Sequence, residues 1–204
     1  MPGSVTDLTV AGARFPDPII VDTNLIVEFL VAPLIEGRPL PRTTANARRA
    51  DQFFSELHDG NGTGLVTPTV FNEVIHISIR FKYKQVWFEL RTGSRATYRR
   101  PIRDWTDLYK QDRTILQSFS ADLQRLRQRF VANGLHFVAP DELDAIASGR
   151  TYDDELLHLV GTHGLDSNDA LILMEAQRYG VTDIITLDSD MLRARADFNI
   201  YTWL

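Results

Sequence analysis

The stretch Ile19-Ile-Val-Asp-Thr-Asn-Leu-Ile-Val-Glu-Phe-Leu30 decides the fold. It is apolar almost throughout, yet Asp22, Thr23 and Asn24 stand side by side at its centre. Ile19, Ile20 and Val21 form a short apolar run that reads as a buried strand, and Leu25 to Leu34 reads as the helix that follows it. A strand feeding directly into a helix is the repeating unit of a parallel sheet covered on both faces. The carboxyl end of such a strand is where open sheets form their ligand crevices, so the three polar residues are expected on a crevice rim.

Working outward, the same alternation recurs. Ala45 to Leu57 reads as a helix closed by the turn composition Asp59-Gly-Asn-Gly62. Gly64 to Thr67 is a second strand and Val70 to Ile79 the helix behind it. Leu116, Phe119, Leu123, Leu126 and Phe130 recur at intervals of three and four, which predicts an amphipathic helix stopped at Asn133-Gly134. Leu135 to Val138, Asp183 to Leu187 and Asn199 to Trp203 are further strands, and Asp153 to Val160 and Asn168 to Tyr179 further helices. The expectation is an α/β fold with a parallel sheet of about five strands flanked by helices. Residues 1–17 are expected as a loosely held arm, and 18–204 as one domain with a helical, basic insertion at about 80–134.

Composition narrows the chemistry. The chain has no cysteine, which excludes disulfides, thiolate metal sites and cysteine nucleophiles and leaves carboxylates and histidines as the strong ligands. Any metal is then expected to be hard, such as magnesium or manganese. No signal-peptide pattern opens the sequence and its longest apolar run is broken by Asp22, Asn24 and Glu28, so a cytoplasmic protein without a membrane segment is expected. The net charge of −5 is unevenly spread. Residues 80–129 carry 13 Lys or Arg against 5 Asp or Glu, so this stretch is basic and the remainder strongly acidic. Such a segment suits either a polyanion or a solvated helix face.

Four separate segments deliver an acid to the same expected rim. Asp22 follows the first strand and Glu73 the second; Asp166 and Asp169 open a late helix; Asp188 and Asp190 follow Asp183 to Leu187. Each alone is explained by helix capping. Together, converging carboxylates raise one another's pKa unless a cation lies among them. Glu73-Val-Ile-His76 has a spacing used by di-iron bundles, but such sites need two copies and one is present, so His76 reads as a helix-face residue. No nucleophile elbow, Walker loop or dinucleotide fingerprint is present.

The blocks around these acids resemble the PIN domain, the metal-dependent nuclease module of VapC-type toxins. Ile19 to Asn24 is similar to its opening motif, Thr67 to Glu73 to its second block, Gly164 to Ile172 to its third, and Thr186-Leu-Asp-Ser-Asp190 to its closing block. The resemblance covers residues 19 to about 79 and 135 to 204, and the basic stretch between has no counterpart in it. It implies a PIN-like three-layer fold in which Asp22, Glu73, Asp169 and Asp188 hold one or two Mg2+ or Mn2+ ions and hydrolyse phosphodiester bonds of single-stranded RNA. Asp166 and Asp190 are candidates either for the same pocket or for helix caps. Asn24 and Thr186 are candidates for orienting a carboxylate or the substrate. The resemblance also implies a small antitoxin as partner in a type II toxin–antitoxin pair, and a homodimer.

An acidic pocket does not attract RNA by itself, so affinity is expected from the basic stretch. Lys82, Lys84, Arg91, Arg95, Arg99, Arg100 and Arg103 would contact phosphates, with Tyr83, Trp87, Tyr98 and Trp105 stacking on bases or packing the insertion. Two other readings stand beside the endoribonuclease. One is a catalytically inactive PIN-like RNA- or protein-binding module. The other is a phosphohydrolase using Asp22 as nucleophile, which is disfavoured by Asn24 where such enzymes carry a second Asp.

Overall fold

The computed structural model describes residues 3–31, 44–92, 98 and 101–204. Arg95, Arg99, Arg100 and the end of the helix expected over Leu25 to Leu34 lie outside the described residues. The chain forms an α/β fold around a six-stranded, wholly parallel sheet in the order β1-β6-β5-β2-β3-β4. The strands are β1 (Ser4–Asp7), β2 (Ile19–Val21), β3 (Gly64–Val66), β4 (Leu135–Phe137), β5 (Asp183–Ile185) and β6 (Asn199–Thr202). Ile19, Ile20 and Val21 are wholly inaccessible, as a strand covered on both faces requires.

Helices connect and cover the strands. α1 (Thr23–Ile26) runs on as a single π-helical turn, Val27–Val31. α2 (Ala45–Asp59) is capped by the Thr44 side chain and buries Phe53, Phe54 and Leu57. Then come α3 (Pro68–Thr92), α4 (Trp105–Gln111), α5 (Thr114–Ala132), α6 (Tyr152–His163) and α7 (Ser167–Tyr179). The last two end on Gly164 and Gly180 with positive φ, the left-handed closure that glycine makes at least cost. Among the described residues, no helix is long and apolar enough to cross a membrane.

The sheet has one strand more than the five expected, and that strand lies in the segment read as a loose arm. Ser4 to Asp7 pairs residue by residue with Asn199 to Thr202. The Leu8 N–H then donates to the Thr202 carbonyl, and Asp7 Oδ1 accepts from the N–H groups of Thr9 and Leu204. An edge strand with no fully buried residue leaves no apolar run to read, and its partner lies nearly 200 residues away.

The basic stretch is built into the domain. α3 continues far beyond Ile79, and Tyr83 on it is fully buried, its hydroxyl donating to the Asp112 carbonyl at 2.8 Å and its ring edge-on to Tyr109. On α5, Phe119, Leu126 and Phe130 join the main core, and Phe130 stacks on Phe137 of β4. Tyr83→Phe is therefore expected to lower stability by about 1 kcal/mol, the usual net contribution of one hydrogen bond. The check is a shift of the urea midpoint at constant m. An unchanged midpoint would mean that water replaces the lost donor.

Candidate functional site

Chain connectivity reverses direction at β2, which is flanked by β3 on one side and β5 on the other. This is the switch point at which open α/β sheets form a crevice beyond their carboxyl ends. Asp22 stands there, immediately after β2, its N–H donating to the Ile185 carbonyl so that pairing with β5 continues up to the acid. The residue is buried at 3 % exposure and caps α1 by position, but its side chain makes no cap hydrogen bond. Instead Oδ2 accepts from the Thr186 hydroxyl at 2.6 Å and, more distantly, from the Asn24 amide at 3.4 Å. The Thr186 oxygen in turn accepts the Asp188 N–H at 2.8 Å. One hydroxyl thus joins the acid after β2 to the acid after β5.

Glu73 arrives from α3, which starts at Pro68 directly after β3. Pro suits this first helical position because its missing N–H would have had no helical partner. The Glu73 carboxylate is held at both oxygens, by the Thr23 hydroxyl and by the Asn168 amide, each at 2.6 Å. The helices behind these contacts are pinned as well. Glu175 of α7, buried at 7 % exposure, accepts from the N–H and the hydroxyl of Thr69 at the start of α3.

The remaining acids separate by role. Asp166 caps α7, its Oδ1 accepting from the N–H groups of Asn168 and Asp169. Asp190 pairs with Arg193 at 2.9 Å and donates its N–H to Asp188 Oδ1. The Asp169 carboxylate, in the first turn of α7, makes neither a cap bond nor an ion pair among the described residues. Burial pushes its carboxyl up to about 7, and the charges of Asp166, Asp22, Asp188 and Glu73 add to the rise. Burial likewise lifts Asp22 to about 6, with Glu73 and Asp188 adding to it and the Thr186 hydroxyl and Thr23 N–H opposing it. Asp22 and Asp169 therefore both feel the charges of Glu73 and Asp188 at the carboxyl edge of the sheet, whereas Asp190 is tied to Arg193.

Among the described residues, no three Asp, Glu or His side chains stand close enough to cage an ion as they are. The donor set nevertheless fits a hard divalent cation: it is wholly carboxylate oxygen, and its mutual repulsion is what such a charge relieves. Magnesium in particular keeps several waters and needs only one or two protein carboxylates. Asp22 and Asp169, with Asp188 beside them, are the residues that would hold it.

No family model matches the chain, and no curated protein matches it. Among solved structures it is similar to PAE2754 from Pyrobaculum aerophilum, at 15% identity over 96% of this chain and 90% of that one, with a TM-score of 0.37. A superposition that loose adds nothing to the geometry above.

The basic stretch is only partly available to a ligand. Tyr83 is inaccessible to a base, and the Tyr98 hydroxyl is engaged by Asp112 Oδ2 at 3.2 Å. Arg91 lies over the Trp87 ring at 5.1 Å, and Lys82 over Phe119 at 6.0 Å. Lys84, Arg91 and Arg103 are exposed. Three residues that hold the site have no role assigned from sequence: Thr23, which is expected only to lie on the rim, Asn168 and Glu175. The first two adjoin acids in the quoted blocks, and polar neighbours of an expected ligand are the signal that points to them. Glu175 had no such signal, since its partner Thr69 lies 106 residues away.

Proposed function

We propose that the protein is a metal-dependent endoribonuclease that hydrolyses phosphodiester bonds of single-stranded RNA. The observation that carries this reading is that four separate segments bring Asp22, Glu73, Asp169 and Asp188 to the carboxyl edge of the sheet, near enough for the charges of Glu73 and Asp188 to bear on Asp22 and Asp169. Mg2+ or Mn2+, as one ion or two, would supply Lewis-acid stabilisation of the phosphate and a bound water of lowered pKa. The chain's own part is to keep anionic oxygens in place for that ion. Thr186 orients the Asp22 carboxylate, and Thr23 with Asn168 fixes that of Glu73. Asp169, whose carboxyl burial and the neighbouring charges push up to about 7, would have to give up its proton to serve as a ligand.

The experiment is cleavage of a mixed single-stranded RNA pool with magnesium, manganese or EDTA. Metal-dependent fragments are expected. If no metal supports cleavage and calorimetry detects no metal binding, the reading fails in favour of an inactive RNA- or protein-binding module. The toxin role belongs to the same proposal. Its test is growth arrest on expression that a small co-expressed antitoxin relieves.

The Glu73 clamp has a separate consequence. Thr23→Val keeps the shape of the side chain and removes the hydroxyl donor, freeing one Glu73 oxygen. Partners that orient a ligating carboxylate typically contribute 10–100-fold to affinity or rate. A fall of about that size in Mn2+ affinity is expected by calorimetry, with the melting temperature nearly unchanged. Affinity equal to that of the parent would mean that Glu73 does not serve the metal.

A further inference from the structure

A groove of about 480 Å³ runs along α3 from the acid pocket, lined by Thr69, Asn72, Glu73, His76, Arg80 and Asn168 among others. Asn72, Glu73, His76 and Arg80 recur at helical spacing, so they form one stripe of α3. Glu73 and Arg80 lie seven residues apart, about 10 Å along the axis. The stripe thus begins with a carboxylate of the pocket and ends with a guanidinium.

Arg80 has no partner for its guanidinium among the described residues. Its Nε is buried without a hydrogen-bond partner, and no carboxylate pairs with the side chain among the described residues. The nearest acid along the stripe, Glu73, is already satisfied by Thr23 and Asn168 and offers no ion pair. A donor left without an acceptor is costly, and a guanidinium that lines a groove and has no carboxylate partner is open to an acceptor from outside the chain. Guanidinium is suited to phosphate because its planar fork donates two parallel hydrogen bonds. The other donors along the groove, the Asn72 amide and the His76 ring, are neutral or weakly basic groups that suit sugar and phosphate oxygens.

We propose that Arg80 anchors a backbone phosphate of single-stranded RNA next to the one held at the acid pocket, with Asn72 and His76 lining the path between them. This rests on the endoribonuclease reading for the identity of the ligand. The groove gives the strand a direction: it leaves the acids along α3 toward the basic stretch, and Arg80 is its first cationic contact. Arg80 is here a binding and positioning residue, since it touches a phosphate that does not react.

The test separates binding from cleavage. A short fluorescent oligoribonucleotide is titrated into the protein in EDTA at several salt concentrations, with Arg80→Ala, Arg80→Lys and the parent compared. Arg80→Ala is expected to weaken binding about ten-fold and to flatten the slope of log affinity against log salt by about 0.7, the loss of one single-strand phosphate contact. Arg80→Lys keeps the charge but not the fork, and is expected to retain the slope while losing part of the affinity. Thermal melting of each variant guards against a folding defect, and Arg80→Lys keeps the test decisive if Arg80→Ala melts early. Parent-like affinity and slope in Arg80→Ala would overturn the proposal, as would absence of RNA binding by the parent. RNA binding that depends on Arg80 without cleavage under any metal would leave this site standing and sink the nuclease reading alone.

Discussion

Asp22→Asn is expected to remove metal-dependent RNA cleavage by about 10³-fold and, in the same protein, to stabilise the metal-free fold by about 2 kcal/mol at pH 8. The two effects have one cause. Asp22 is buried among other acids, and its carboxyl is pushed from 3.8 to about 6. Holding it ionised at pH 8 therefore costs about 3 kcal/mol relative to the unfolded chain. Asn keeps an oxygen for the Thr186 hydroxyl, so the net gain is somewhat smaller than the whole cost. It has no charge with which to hold a cation, so the proposed metal-dependent cleavage is expected to be lost. Urea unfolding in EDTA and cleavage assays in Mn2+ check the pair. Lost cleavage with lowered stability would make Asp22 a structural residue. Retained cleavage would remove it from the site.

The second large effect is an inverted pH dependence of stability. Asp22 and Asp169 have folded-state pKa values of about 6 and about 7, both above the ordinary 3.8. Folding therefore binds protons between pH 4 and 7, and stability falls as pH rises through that window and levels off above it. Asp22 alone accounts for about 3 kcal/mol. Asp169 is only half buried, so solvent screening reduces its share to about 1–2 kcal/mol. Asp112 and Glu155 are held below their ordinary values, chiefly by the Thr114 and Ser148 hydroxyls respectively, and their contributions are lost as pH falls toward and below their lowered values. The metal-free protein is expected to be most stable near pH 4–5, and saturating Mn2+ to restore the loss at pH 8. A melting temperature in EDTA that rises from pH 5 to pH 8 would contradict the crowded pocket.

How much of this was legible in the sequence depended on where each signal resides. Buried parallel strands announce themselves, because both faces are apolar: Ile19 to Val21 and Ile184-Ile185 stand out as short runs closed by polar residues. The rule that crevices lie beyond strand carboxyl ends brought Asp22, Glu73, Asp166, Asp169, Asp188 and Asp190 to one expected rim, and the resemblance singled out Asp22, Glu73, Asp169 and Asp188 among them. β1 was illegible because Ser-Val-Thr-Asp is half exposed and owes its conformation to β6. The extension of α3 was obscured by its charges, since Tyr83 is buried against α4 and α5 rather than against the sheet. The Glu73 clamp and the Glu175 pin were hidden for a further reason. Thr23, Asn168 and Thr69 are ordinary turn and helix-start residues until the neighbouring chain is known.

The hydroxyl of Thr186 reaches back 164 residues to Asp22. β2 can pair early with β3, but its other neighbour, β5, begins only at Asp183, and β1 waits for β6 at Asn199. During synthesis β2 and the acid that follows it thus leave the ribosome long before the acids after β5 exist. Long-range parallel pairing of this kind is slow, so the nascent chain carries Asp22 and Glu73 through most of its translation with no assembled centre. The sheet order itself delays any activity of the pocket until residues 183–202 have emerged and docked.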